Sequence, residues 1–453
     1  MPTAPGHVRR TSQAATDPPS GGARRRRGLA GAAALLVTAG TLAACGGGSE
    51  SSATPTLNWY INPDQGGQAE IAKRCSAASN GAYAIDVAVL PRESPAQREQ
   101  LIRRLAANDP SIDIMSLDVP FPPELAQAGF LAPVPDDLAA RVSEGVVQGS
   151  LASATWKDKL VTIPFWANTQ LLWYRKSVAE KAGLDMTQPV TWDQIIKAAK
   201  DTGTTVAAQG RRSESLVVWL NALIESAGGH IIEKNSDNPD DIKLGLDSPA
   251  GKRAAEVMAQ VAKSGVTGPA FSTASEDTNA LQFEGPTAGF MVNWPFVWAQ
   301  AQTKVEAGTL DASVPEDYGW AIYPRVNADE PSAPPLGGIN LGVSAFSKHV
   351  DLAYQATECI TSDENQAYYM TTNGNPASSA AVYDDPEVQK VYPMADTIRQ
   401  SLEAAAPRPL TAYYSEVSGG IQREYHPPSS VTADTGKQAQ DLISAVLSGD
   451  QLL

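Results

Sequence analysis

From residue 57 onward the apolar positions switch between a period of two and a period near 3.6, and the switches mark out elements. Leu57 to Ile61 reads as a first strand, Gln68 to Ser79 as a helix ending near Asn80-Gly81, and Tyr83 to Leu90 as a second strand. Ser94 to Ala107 reads as a helix, with Ser94 and Gln97 in capping-box spacing, Pro95 in its first turn and Asn108-Asp109-Pro110 as its stop. Ile112 to Leu117 is a third strand with Asp118 at its carboxyl end, and Glu124 to Ala128 is a short helix closed by Gly129. A second series begins with a strand at Leu171 to Tyr174. A helix opened by Thr191-Trp192-Asp193-Gln194 follows, then one from Glu214 to Ala227, and one started by Asp247-Ser248-Pro249 that runs to Ser264. Thr287 to Val292, Trp320 to Tyr323 and Asn340 to Ser344 read as further strands, with Asn293-Trp294-Pro295 ending the first of these. The chain from Asp351 is mainly helical, and Glu233 to Asp241 and Asn327 to Pro335 read as loops. Alternating strands and helices imply an α/β fold with a mostly parallel sheet covered on both faces. In such sheets ligands bind outside the carboxyl ends of the strands, where Asn62 and Asp118 fall.

The N-terminal segment follows neither period. A basic block, Arg24 to Arg27, precedes an apolar run from Leu29 to Ala44, and the run ends in Leu42-Ala43-Ala44-Cys45. A basic start, a short apolar middle and small residues before the cut describe a secretory signal. The run is short for a membrane-spanning helix, which needs about 20 apolar residues. Leu-Ala-Ala-Cys matches the bacterial lipobox, in which the cysteine is lipidated and becomes the first residue; the competing reading is an ordinary signal with an incidental cysteine. Residues 1–44 are therefore expected to be removed, and 45–56 to form a polar, lipidated tether.

Composition narrows the class. Six of the 35 basic and one of the 50 acidic residues fall in residues 1–44, so 29 basic and 49 acidic residues remain, a formal −20. Such a balance excludes nucleic acid as a partner, because that binding rests on Lys and Arg neutralising phosphates. A chain of this length splits into two lobes, and no later stretch is long and apolar enough to span a bilayer. With Cys45 assigned to lipid, Cys75 and Cys359 are an even pair in an oxidising compartment, and a disulfide is expected; the alternative is two buried free thiols.

No catalytic or metal-binding motif stands out. His230, His349 and His426 show no metal-ligand spacing, and no cysteine cluster exists, so no metal and no cofactor are expected. A phosphate-cradling Gly-Lys-Ser/Thr loop and a Gly-x-Ser-x-Gly elbow are both missing. Aromatic and amide residues instead gather near predicted loop ends. Phe165, Trp166, Asn168 and Thr169 lie just before a strand, and Asn293, Trp294 and Phe296 just after one. Gly337, Gly338 and Asn340 precede another, and Arg408 stands between Pro407 and Pro409. Indole faces stack on the apolar faces of sugar rings, while Asp, Asn and Arg supply directional partners for hydroxyls.

Several segments then carry a family resemblance. They are Gly129-Phe130-Leu131-Ala132-Pro133-Val134, Trp156 to Pro164, Tyr174-Arg175-Lys176, Pro189 to Asp193 and Ala288-Gly289-Phe290-Met291. In this order, and behind a lipoprotein signal, the chain resembles the extracytoplasmic solute-binding proteins of ABC importers. Asn293-Trp294-Pro295, Gly337 to Gly342 and Arg408-Pro409 make it most similar to the trehalose/maltose-binding branch, including the actinobacterial trehalose-binding lipoproteins. The resemblance implies a two-lobed type II periplasmic-binding-protein fold with a ligand cleft between lobes. The N-terminal lobe would comprise 57–164 and 320–372, and the C-terminal lobe 165–319 and 373–453. It implies a non-enzymatic, monomeric receptor on the outer face of the cell membrane, with a sugar as ligand and permease subunits as partners. The ligand set implied is Asn62, Gln68, Arg98, Asp118, Asn168, Glu276, Trp294, Gly338, Ile339 and Arg408. Ile339 stands where some relatives place an aromatic, which removes a possible stacking wall. Another disaccharide or a glycerophosphodiester is the alternative ligand, and an anchored glycosidase the alternative class. Trp192 fits a structural role better than a ligand role.

Overall fold

The alternating segments of residues 57–118 build the edge of the first of two mixed sheets. The computed structural model describes residues 54–453, so the basic block, the apolar run and Cys45 lie outside the described residues. Strands β1 (Thr56–Ile61), β2 (Ala84–Val89) and β3 (Ile114–Asp118) are joined by helices α1 (Gly67–Ala78) and α2 (Ser94–Ala106). Both β2 and β3 pair with β1 in parallel, as right-handed helical crossovers allow. Two more strands complete the sheet: β4 (Ile163–Thr169) and, much later, β9 (Leu336–Val343), in the order β2-β1-β3-β9-β4. Strand β9 runs antiparallel to both β3 and β4. Four of the five strands therefore run in one direction, as expected of a mostly parallel sheet, and β9 alone is reversed. A strand that returns from the other lobe is not tied to a crossover helix, so its direction is set by where it re-enters.

The second sheet holds β5 (Leu171–Arg175), β6 (Thr205–Ala207), β7 (Ala288–Asn293) and β8 (Tyr318–Ala321), in the order β8-β5-β7-β6. Only β6 and β7 are parallel. Helices α3 (Trp192–Thr202), α4 (Glu214–Glu225) and α5 (Pro249–Lys263) pack around it. Thr191 caps α3 through the expected box: its Oγ1 accepts from the Gln194 amide at 3.2 Å, and its own amide donates to Gln194 Oε1 at 2.8 Å. Such a cap contributes about 1 kcal/mol. Trp192 is buried against Trp219, with ring centroids 6.0 Å apart, which confirms its structural role.

A single residue, the fully buried Gln170, separates β4 from β5 where the chain passes from one sheet to the other. The crossings expected at 164/165 and 319/320 fall inside β4 and β8. Strand β4 was expected as an approach to the next strand. Its Ile163, Phe165 and Ala167 are fully buried, although β4 is the edge strand of the sheet and pairs only with β9 within it, Ala167 opposite Gly338. A strand covered on both faces loses the alternation that reveals one at a surface.

Helices α7 (Val350–Ile360) and α8 (Asp363–Asn373) return to the first lobe and pack on α1. There Cys75 of α1 and Cys359 of α7 form a disulfide across 284 residues of sequence. The bond lies inside the first lobe, with the second sheet threaded between its ends. Among the described residues no helix is long and apolar enough to cross a membrane.

Candidate functional site

The carboxyl ends of β3 and β4 and the amino end of the antiparallel β9 set one wall of a cleft of about 520 Å³ between the two lobes, within the roughly 300–1,000 Å³ common for small-ligand sites. Strand register places Asp118, Ile339 and Trp166 side by side across that wall. Gly338 sits beside them at φ +121°, and a Cβ there would lie 2.2 Å from the Trp166 carbonyl oxygen. Glycine is therefore required both by the dihedral and by the close backbone. Gly338→Ala is expected to cost about 2 kcal/mol or more, read as a lower denaturant midpoint with an unchanged m-value. A shift below a quarter of that would show that the strand relaxes around the methyl.

The second lobe supplies Trp294 and Glu276. Both hang on Asn293, which is fully buried at the end of β7. Its Oδ1 accepts from the Trp294 amide at 2.9 Å, and its Nδ2 donates to the Glu276 carbonyl at 2.9 Å. Glu276 opens helix α6 (Glu276–Phe283), and Ser275 caps that helix. The Trp294 ring reaches across to the first lobe: a Cβ on Gly337 would stand 2.9 Å from its Cη2. Gly337 thus leaves room for the indole beside Asn168.

Arg408 closes the floor between the lobes. Its Nη2 donates to Asp118 Oδ1 at 2.6 Å, from the first lobe, and its Nη1 to Glu214 Oε1 at 2.6 Å, at the start of α4. The residue is only 3% exposed. Burial alone would lower its pKa, but Asp118, Tyr414 and Glu214 together outweigh that and hold it well above the ordinary arginine value. Tyr414 is driven well above the usual tyrosine range by burial and by Glu214, so it stays protonated and donates to Glu214. Ser418 Oγ adds a bond to Glu214 Oε2 at 2.7 Å. The Pro407 carbonyl accepts from Asn221 Nδ2 at 3.2 Å, which ties the arginine segment to α4.

Ser94 does not cap α2 as its spacing suggests. Its hydroxyl donates to Asp118 Oδ2 at 2.6 Å, and Glu93 stands at the cap position without a side-chain bond. The hydroxyl went to the partner with the greater need, a half-buried carboxylate.

Eight of the ten residues expected at the site line the cleft: Asn62, Asp118, Asn168, Glu276, Trp294, Gly338, Ile339 and Arg408. Gln68 and Arg98 do not. Gln68 is fully buried and donates to the Asn62 carbonyl at 2.9 Å. Arg98 forks onto the partly buried Glu124, with Nε 2.5 Å from Oε2. The sequence reasoning missed Glu214, Arg211 and the Arg92-Glu93 pair, all on the cleft. Glu214 alone left a signal, as an acid at the start of an almost wholly buried helix. Four buried polar atoms on cleft residues have no protein partner: Asn62 Oδ1, Trp166 Nε1, Asn373 Oδ1 and Arg408 Nε. No cluster of metal-ligating side chains occurs among the described residues.

Comparison with known proteins agrees with this geometry. Residues 68–367 match the model of the bacterial extracellular solute-binding proteins. A probable ABC transporter-binding protein of Deinococcus radiodurans is 24% identical over 343 residues, 73% of this chain and 78% of its own. The maltodextrin-binding protein MdxE of Bacillus subtilis is 25% identical over 307 residues, 65% of this chain and 68% of its own. Among solved structures, maltose-bound MalE3 of T. maritima superposes with a TM-score of 0.73 at 26% identity, covering 87% of this chain and all of that one.

Proposed function

Because the chain belongs to the bacterial extracellular solute-binding proteins, we propose that it captures trehalose and hands it to the permease of an ABC sugar importer, held at the outer face of the cell membrane by lipid on Cys45. The relatives are transporter-binding proteins rather than enzymes. One observation carries the sugar reading: a half-buried indole, Trp294, lines the cleft with its ring edge against Gly337 of the strand wall, and the same cleft presents unpartnered buried polar atoms. An apolar face with directional hydrogen-bonding groups around it is what a sugar ring needs on its two kinds of surface. The maltose-bound relative at 26% identity supports the same class of ligand.

In this reading Asn62, Asp118, Asn168, Glu276, Trp294, Gly338, Ile339 and Arg408 touch the sugar. Gln68 holds Asn62 in place, and Arg98 with Glu124 braces the helix behind Asp118. The lobes follow the two sheets, joined at Gln170 and by the later returns of the chain. Ligand draws them together by contacting both walls, to the extent that it binds the closed form better. Two or more acyl chains on Cys45, at about 0.8 kcal/mol per buried methylene, give an anchor that one chain would not. The protein works as a monomer beside its permease.

Calorimetric titration of the mature chain with trehalose, maltose, sucrose and glucose tests this, with trehalose expected to bind most tightly. Heat with maltose alone would move the assignment to that sugar, and no heat with any of the four would end the sugar reading. Trp294→Ala is expected to weaken binding by about tenfold or more, a loss of about 1.4 kcal/mol. A change within threefold would remove the indole from the site.

A further inference from the structure

The charges on the cleft are not balanced, and their pairing says which solutes the cleft admits. Three arginines line it, and all three are engaged. Arg92 reaches across the mouth to Asp277, Arg211 crosses in the other direction to Glu93 at 3.4 Å, and Arg408 is shared by Asp118 and Glu214. Two more carboxylates, Asp64 and Glu276, line the cleft without a cationic partner among the described residues. With six acids against three bases, the lining carries a formal −3. The helix start that could have welcomed an anion is already occupied: Asp64 accepts from the amides of Gly66 and Gln68 at 2.9 and 2.8 Å. A phosphate or carboxylate entering here would meet guanidinium groups already shared with carboxylates, loosely at the exposed Arg92 and Arg211 and tightly at the buried Arg408.

We propose that this cleft is charge-selective: it rejects anionic sugars, admits neutral ones, and accepts a basic substituent through Glu276. The inference rests on the sugar reading above and adds to it. Glu276 is the residue that matters: it is half-buried on the cleft wall, its backbone is held by the Asn293 bond to its carbonyl, and its carboxylate takes no protein partner among the described residues. Repulsion between like charges is strongest where water is partly excluded. It is also weakened by salt when part of the path is solvent. An ammonium at the same place would gain what a phosphate loses.

The test uses three ligands on one scaffold with the mature wild-type chain: a neutral disaccharide, its 6-phosphate and its 6-amino-6-deoxy derivative. The phosphate is expected to bind about 30-fold or more weaker than the neutral sugar, equivalent to about 2 kcal/mol. The amine should bind within threefold of the neutral sugar or tighter, and the gap between amine and phosphate should narrow as sodium chloride is raised. Glu276→Gln should shrink that gap by about fivefold, and Glu276→Lys should reverse the order. Phosphate binding within threefold of the neutral sugar overturns the proposal. A phosphate deficit indifferent both to salt and to Glu276→Lys also overturns it, since exclusion would then be steric. Should either variant melt early, the wild-type ratio and its salt dependence still decide. If none of the three sugars binds, the sugar reading itself fails and this inference falls with it.

Discussion

Arg408→Ala is expected to lower both stability and affinity more than any other single change in the cleft. The side chain is 3% exposed and lies between two carboxylates from different lobes. Removing it leaves Asp118 and Glu214 facing each other without a cation, the situation in which breaking a buried pair costs about 3–5 kcal/mol. At about 2–4 °C per kcal/mol, the melting temperature should fall by about 10 °C. Binding should fall with it, by about 100-fold or more, because the floor that joins the two walls is gone and two like charges now resist closure. Arg408→Lys separates charge from shape. Lysine restores one positive charge but not the fork, so it can serve Asp118 or Glu214 and not both. An intermediate loss is expected. Adding Asp118→Asn to Arg408→Ala should recover part of the stability and none of the binding, which a thermal melt and a titration on the same sample would show. A loss below about 1 kcal/mol for Arg408→Ala would mean that water reaches the cluster and screens it.

How much of this arrangement could be read from sequence depended on whether a residue's neighbours lay nearby in the chain. The strand and helix series from β1 to β3 was legible because each element carries its own period and punctuation, and Thr191 with Gln194 caps α3 as spacing alone suggested. Ser94 with Gln97 had the same spacing and a different outcome, since Asp118, 24 residues away, took the hydroxyl. Strand β4 was hidden because both its faces are covered, and the direction of β9 because nothing in a strand's composition reports which way it re-enters a sheet. Trp294 and Arg408, implied by the family resemblance, both line the cleft, and Gly337 leaves room for the indole. What stayed out of reach was pairing. Arg408 between two prolines and Glu214 at the head of an apolar helix each looked isolated, and only their 194-residue contact makes sense of both. Arg92-Glu93 likewise reads as a surface doublet until Asp277 and Arg211 are seen opposite, with signs reversed.

Loss of the disulfide is the other large expected effect, and its character differs. Cys75 and Cys359 close a loop of 284 residues, for which chain entropy alone gives about 6 kcal/mol, slightly more than such bonds deliver in practice. Cys75 is fully buried on α1, and Cys359 sits on α7 beside Asn365, whose Nδ2 donates to the Cys359 carbonyl at 2.8 Å. Both helices belong to the first lobe, and the second sheet lies within the loop they close. The bond therefore stabilises one lobe without crossing the hinge. A Cys75→Ala, Cys359→Ala double variant is expected to lose about 3–5 kcal/mol, with early melting confined to the first lobe when followed by calorimetry and by hydrogen exchange in α1 and α7. Well below that melting temperature, sugar affinity should stay within twofold of wild type, because neither wall of the cleft nor its floor is tied to the bond. A restraint on closure would behave in the opposite way. It would leave the melting temperature little changed and alter the affinity, and that pattern would place the bond across the moving part of the molecule rather than inside a lobe.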